Sequence, residues 1–165
     1  MFSSSLGKKY LMALTGLVLI GFVFVHMAGN LQVLAGQAQI NAYAHSLQSL
    51  PWFILWGSRL FLLAAVLIHA WTAYSLIVEN RKARPDANEV EVTKRAGIAS
   101  LRMGFTGSII LAFIVFHLLH FTVRTIYPEY AEMMTTVGSP DETEIHDAFL
   151  MVISGCKHDL ISIFY

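Results

Sequence analysis

The sequence predicts an all-α fold, a polytopic bundle of transmembrane helices, and three observations carry that expectation. Of its residues, 56% are hydrophobic and only 13% charged, with a mean hydropathy of +0.59, far from the values of soluble domains. Three separate apolar runs are each long enough to cross the hydrocarbon core, which takes about 20 residues. Each run also holds a histidine, His26, His69 or His117, a group that is costly in hydrocarbon unless it has a partner.

The first span is expected at 10–29. It follows Lys8 and Lys9, and its apolar run exceeds the roughly 7 to 15 residues of a secretory h-region, so it reads as a retained helix. The second, 52–78, begins just after Pro51 and is long enough to tilt or protrude. The third, 103–123, ends at Arg124. A polar stretch with Pro128, Gly138, Ser139 and Pro140 follows. After it, Ile145, Phe149, Val152 and Ile153 recur at helical spacing, which predicts an amphipathic helix over 144–153. Residues 160–165 turn apolar again and read as the start of a cut-off fourth span.

Lysine and arginine set the expected orientation, because both are retained on the cytoplasmic side in short loops. Lys8 and Lys9 precede the first span, and Arg81, Lys82, Arg84, Lys94, Arg95 and Arg102 separate the second from the third. On the other side stand only Arg124 and Lys157, with no basic residue over 30–58. The amino terminus and the basic loop 79–102 are therefore expected inside, and the loops 30–50 and 124–159 outside. Within 30–50, Ile40, Tyr43, Leu47 and Leu50 share one face of a predicted interfacial helix lying along the membrane surface.

Orientation turns the histidines into depths. His26 and His117 both fall late in spans that run outward, so both belong to the outer half and can meet. His69 is nine residues, or roughly 13 Å, from the inner end of the second span, in the inner half and with no histidine partner among the three spans. Two imidazoles from different helices are what a six-coordinate haem iron needs, one on each axial face. Gly16, Gly21, Ala64, Ala65, Gly104 and Gly107 could make room for a flat macrocycle, although for any single glycine close helix packing is the favoured reading. The plain alternative for each histidine is a hydrogen bond to a neighbouring helix.

His117 and His120 form an H-x-x-H pair without a carboxylate in the span to complete a metal site, so one is read as a ligand and the other as its support. Arg59, about 12 Å into the second span, meets either a haem propionate or a headgroup phosphate. His45 and His146 are expected to be solvated or interfacial, with His45 a candidate quinone contact, and His158 carries no role. Trp52, Trp56 and Tyr10 read as interfacial belt residues. The single Cys156 excludes an intrachain disulfide and a multi-cysteine metal site, and the formal net charge of zero argues against a nucleic-acid partner.

Several stretches in order, Ser5-Leu6-Gly7-Lys8-Lys9, Met12-Ala13-Leu14-Thr15-Gly16-Leu17 and Val25-His26-Met27-Ala28-Gly29-Asn30-Leu31-Gln32, resemble the cytochrome b subunit of bacterial succinate dehydrogenases and fumarate reductases. The resemblance continues through Asn41-Ala42-Tyr43-Ala44-His45, His69-Ala70, Asn80-Arg81-Lys82-Ala83-Arg84-Pro85 and Phe116-His117-Leu118-Leu119-His120-Phe121, and covers nearly the whole chain. It implies a five-helix anchor in the bacterial cytoplasmic membrane. Two b haems would lie one above the other, between membrane quinone, such as menaquinone, and an iron-sulfur subunit joined to a flavoprotein subunit on the cytoplasmic side.

In that family the first and third helices ligate the haem far from the soluble subunits, which maps onto His26 and His117. His69 matches the second-helix ligand of the nearer haem, whose fourth-helix partner would fall beyond Tyr165. The chain departs from the pattern by ending early, and the unpaired His69 reads as the mark of a fragment or of an incompletely ligated inner haem. It departs again over 30–58, which holds no acidic residue of the kind some members use for quinol oxidation. Succinate or fumarate chemistry would reside on another subunit, with no catalytic residue here. The rival expectations are a haem subunit of a hydrogenase or formate dehydrogenase, and a haem-free transporter or scaffold whose histidines relay protons.

Overall fold

The computed structural model of the chain describes residues 4–83, 102–136 and 144–165. Arg84, Lys94 and Arg95 of the basic loop, and Gly138, Ser139 and Pro140, lie outside the described residues. The fold is all-α: 84% of the described residues are helical, with almost no strand. Helix α1 (Ser5–Asn30) runs into a 3₁₀ turn (Leu31–Ala35), then come α2 (Gln37–Gln48), α3 (Trp52–Ala83) and α4 (Met103–His117). A π-helical turn (Leu118–Thr122) continues α4, and after a 3₁₀ turn (Pro128–Glu132) come the strands β1 (Met134–Thr136) and β2 (Glu144–His146). The short helices α5 (Ala148–Cys156) and α6 (Asp159–Phe164) follow.

Three of these elements are long and apolar enough to cross a membrane. The 26 residues of α1 span about 39 Å and the 32 of α3 about 48 Å, more than the roughly 30 Å hydrocarbon core. Large apolar side chains on α1 stay uncovered, Leu17 at 68%, Phe24 at 66% and Val25 at 68% exposure, a surface that suits lipid rather than water. Punctuation is local. Gly36, with φ of 102°, ends the first helical stretch in a conformation only glycine adopts cheaply, and the Pro51 carbonyl accepts the Ile54 and Leu55 N–H groups to open α3.

The chain divides into two compact units. In the first, Met1–Phe22 with Arg59–Ile114, Lys8 near the start of α1 pairs with Glu79 near the end of α3, and its ammonium lies 6.0 Å from the centre of the Trp71 ring. Thr72, fully buried, donates back to the Ile68 carbonyl at 2.8 Å, so no polar atom of its side chain is stranded. At Gly104 a Cβ would stand 3.1 Å from Ile77 Cδ1, so the missing side chain lets the two helices pack closely.

In the second unit, Val23–Ser58 with Val115–Tyr165, a buried polar clamp joins α2 to α5. Asp147, only 3% exposed, caps α5 by accepting from the Leu150 N–H at 2.9 Å. Its two oxygens also accept from Asn41 Nδ2 at 2.9 Å and from Gln37 Nε2 at 2.7 Å. Asn41 Oδ1 in turn accepts from the Phe149 N–H at 2.9 Å. Two first-turn donors of α5 are thus satisfied by two different residues, one of them on another helix.

The cap also corrects the helix expected over 144–153. Because Asp147 takes the Ncap position, the helix cannot extend back through it, and Glu144–His146 instead pair antiparallel with Met134–Thr136. The third span, expected as one regular helix over 103–123, is α-helical only to His117 and then widens by one residue per turn. A helix forms within 30–50 as α2, with Ile40 buried and Leu47 exposed, but Leu50 lies beyond its end.

Replacing Asp147 by alanine removes a cap and leaves the Asn41 and Gln37 amides without their acceptor, a loss of about 2 to 4 kcal/mol. Denaturation of the Asp147→Ala chain in mixed detergent micelles should show an earlier midpoint, and a midpoint equal to that of the wild type would contradict the clamp.

Candidate functional site

The second unit brings together two of the three membrane histidines. His26 lies in the last turns of α1 and His117 is the final residue of α4, and their ring centroids stand 5.8 Å apart, edge to face at 89°. Both border a cavity of about 450 Å³, within the usual range for ligand pockets and lined mainly by apolar side chains, with Asn30, Phe121, Gly155 and Tyr165 among its walls. Close approach is built in around it. A Cβ at Gly29 would collide with the Tyr43 ring, and one at Gly155 would stand 3.2 Å from Phe121 Cζ and 3.3 Å from His120 Cε1.

Hydrogen bonds define the state of His26. Asn30 Nδ2 donates to His26 Nε2 at 3.2 Å and to the His26 carbonyl at 2.8 Å, so the imidazole accepts at Nε2 and, when neutral, carries its hydrogen on Nδ1. The asparagine one turn further along the same helix is therefore part of the site.

Between His117 and His120 the helix changes from α to π, the π-helical turn beginning directly after His117. Such turns re-aim side chains and recur at functional sites. His120 is fully buried, packed against Phe121 at 4.0 Å between ring centroids and against Phe116, Tyr127 and Tyr130 at 5.5 Å each. Its Nε2 is buried with no hydrogen-bond partner among the described residues. Its Nδ1 lies 3.3 Å from the Tyr165 hydroxyl, which stands equally close, at 3.2 Å, to His117 Nδ1.

His69 falls in the first unit, apart from the pair. Its Nδ1–H donates to the Met12 carbonyl at 3.1 Å and lies 3.2 Å from Thr15 Oγ1, whose own hydrogen goes to the Leu11 carbonyl at 2.7 Å. Gly16 makes room for this ring, since a Cβ there would stand 3.2 Å from His69 Cε1. Gly21 and Gly107 have open space where a Cβ would be, and Ala65 is buried in packing. Arg59 occupies an exposed position of α3 in the first unit, and His45 an exposed position of α2 in the second.

His146 is not the solvated or interfacial residue that its loop position suggests. It is half-buried, its Nε2–H donates to the Tyr130 carbonyl at 2.8 Å, and its Nδ1 is buried with no hydrogen-bond partner among the described residues. Burial lowers its pKa and the Arg124 guanidinium adds to that, against the opposing pull of the Tyr130 carbonyl and Asp147. Burial likewise raises the Tyr130 hydroxyl, with Tyr127 and Glu129 contributing. His158 stacks on Tyr127 at 4.9 Å. Sequence reasoning missed Tyr165, Tyr130 and Asn30, since a lone tyrosine or asparagine carries no spacing signal until the fold supplies its histidine.

Among the described residues no three or more His, Cys, Asp or Glu side chains gather as a ready-made metal-ion site, so the donor set of the His26 and His117 pair is two imidazoles and no carboxylate. Compared with protein families, with characterised proteins and with solved structures, the chain shows no match.

The His146 environment predicts a pH effect. Its folded pKa lies below the unfolded value of about 6.5, so the stabilisation is complete above that pH and is lost as pH falls through the window beneath it, where the unfolded chain binds a proton that the folded one resists. Amide exchange protection of the Met134–Thr136 and Glu144–His146 ladder should therefore fall between pH 7 and 5, after correction for intrinsic exchange. His146→Gln, which keeps a donor for the Tyr130 carbonyl but does not titrate, should flatten that dependence, and an unchanged slope in this variant would rule His146 out.

Proposed function

We propose that the chain is a haem-b-binding membrane anchor that conducts electrons between an iron-sulfur subunit and membrane quinone, in a succinate dehydrogenase or fumarate reductase complex. The observation that carries this reading is the His26 and His117 pair: two imidazoles from separate membrane-crossing helices, 5.8 Å apart, on the wall of one apolar cavity. These residues fit a flat macrocycle with two axial nitrogens, which needs paired neutral imidazoles, apolar walls and little else. When bound, the iron supplies one-electron chemistry at a potential tuned by its ligands and by burial. His26 and His117 would hold and orient the group, His26 through Nε2, the nitrogen that accepts from Asn30 in this structure.

His69 belongs to a second, inner haem in this reading. Its Nδ1–H is held by Met12 and Thr15, the arrangement that orients metal-bound histidines. The same two bonds also suffice to lock α3 against α1, which favours a packing role as the second reading for this residue. His120 supports His117, Arg59 answers a propionate or a lipid phosphate, and His45 is the candidate quinone contact.

In this reading the bias of lysine and arginine assigns the amino terminus to the cytoplasmic side, and the family resemblance supplies the bacterial membrane. Arg81, Lys82 and Arg102 then flank the face on which the iron-sulfur and flavoprotein subunits dock.

A reduced-minus-oxidised visible spectrum of the purified membrane protein should show a bis-histidine b-type signal. His26→Ala and His117→Ala should each abolish the outer component and spare any inner one, and a full signal surviving in either variant would sink the ligand assignment. Charge reversal at Arg81, Lys82 and Arg102 should weaken assembly with the soluble subunits, and intact assembly would reduce the basic loop to a topology signal.

A further inference from the structure

Tyr165 presents one hydroxyl to two imidazoles. Its oxygen stands 3.2 Å from His117 Nδ1 and 3.3 Å from His120 Nδ1. A hydroxyl has a single hydrogen and two lone pairs, so it cannot donate to both nitrogens. At least one of the two histidines must hold its hydrogen on Nδ1 and donate it to the tyrosine oxygen. The rings around His120 decide which one. Phe121, Phe116, Tyr127 and Tyr130 enclose it, and its Nε2 is buried with no hydrogen-bond partner among the described residues. The rings are tilted by 31° to 57° from the imidazole, and an N–H among them makes weak contacts with their electron-rich faces that a bare nitrogen lone pair does not. His120 is thereby favoured with its hydrogen on Nε2 and an accepting Nδ1.

We infer that Tyr165 and His120 are positioning residues for His117: His117 Nδ1–H donates to the Tyr165 oxygen, and the Tyr165 hydroxyl donates to His120 Nδ1. The two hydrogen bonds run in one direction, so each polarises the other. The outcome at His117 is an unprotonated Nε2, the same tautomer that Asn30 imposes on His26 across the cavity. The consequence for a cofactor rests on the reading of His117 as an axial ligand, but the tautomers themselves do not.

The test is ¹⁵N-histidine NMR of the full chain in lipid nanodiscs, without added cofactor, which separates protonated from bare ring nitrogens. Wild type should show a protonated Nδ1 and bare Nε2 at His117 and the reverse at His120. Tyr165→Phe and His120→Leu should each give mixed tautomers at His117 with His26 unchanged. His120→Asn, which keeps an acceptor near the Nδ1 position, should restore the wild-type pattern. A protonated Nε2 at His117 in wild type, or a Tyr165→Phe chain with His117 unaltered, overturns the inference.

In a haem titration of the same proteins, Tyr165→Phe should bind about 10-fold more weakly, with a higher midpoint potential, because the ligand loses the acceptor that raises its basicity. Equal affinity and potential in a wild type that does bind haem would also overturn it. A wild type that binds none defeats the cofactor reading alone, and the NMR pattern still decides the tautomers.

Discussion

The structure depends on one constraint: within helices built for hydrocarbon, a polar side-chain atom is costly unless it finds a partner in the protein. Thr15, Thr72, Thr106 and Ser108 meet it by donating to carbonyls of their own helices. Histidine cannot do this with both ring nitrogens, so each membrane histidine reaches for a second group. His69 on α3 takes the Met12 carbonyl of α1, His117 takes the hydroxyl of Tyr165 just past α6, and His26 takes Asn30 one turn along. In two of the three cases the satisfied imidazole is also a tie between elements distant in sequence.

That tie explains where small residues are needed. Gly16 is required because His69 lies against α1 at that point, and Gly155 because α5 passes over His120 and Phe121. Neither glycine is explained by a general wish for close helices, since Gly21 and Gly107 are equally small and have open space where a Cβ would be. Lys8 and Glu79 apply the same logic in the first unit, where the largely buried ammonium of Lys8 is tolerable because it pairs with the more exposed Glu79 carboxylate.

In the second unit the polar groups converge rather than scatter. Asp147 joins α2 to α5, His146 joins the hairpin to the Tyr130 carbonyl, and Tyr165 joins the two histidines at the end of α4. The π-helical turn follows directly on His117 and carries His120, whose ring packs into the aromatic cluster while both imidazoles reach the Tyr165 hydroxyl.

Much of this was legible in the linear chain. Three apolar runs sufficient to cross hydrocarbon determine three helices whatever their neighbours, because backbone hydrogen bonding in lipid leaves few alternatives. The turn of α2 and the pairing of His26 with His117 were readable from apolar spacing and from charge bias converted to depth. Only the tertiary structure decided the rest: that the helix after residue 146 starts at the Asp147 cap, that His146 is tied down rather than solvated, and that a π-helical turn follows His117 and carries His120. It also decided that one tyrosine hydroxyl serves both of those rings. The physical reason is that burial of apolar surface is additive and periodic and so is written along the chain. A hydrogen bond between residues some 50 or 100 positions apart depends on two atoms meeting within about 3 Å, which no spacing rule encodes.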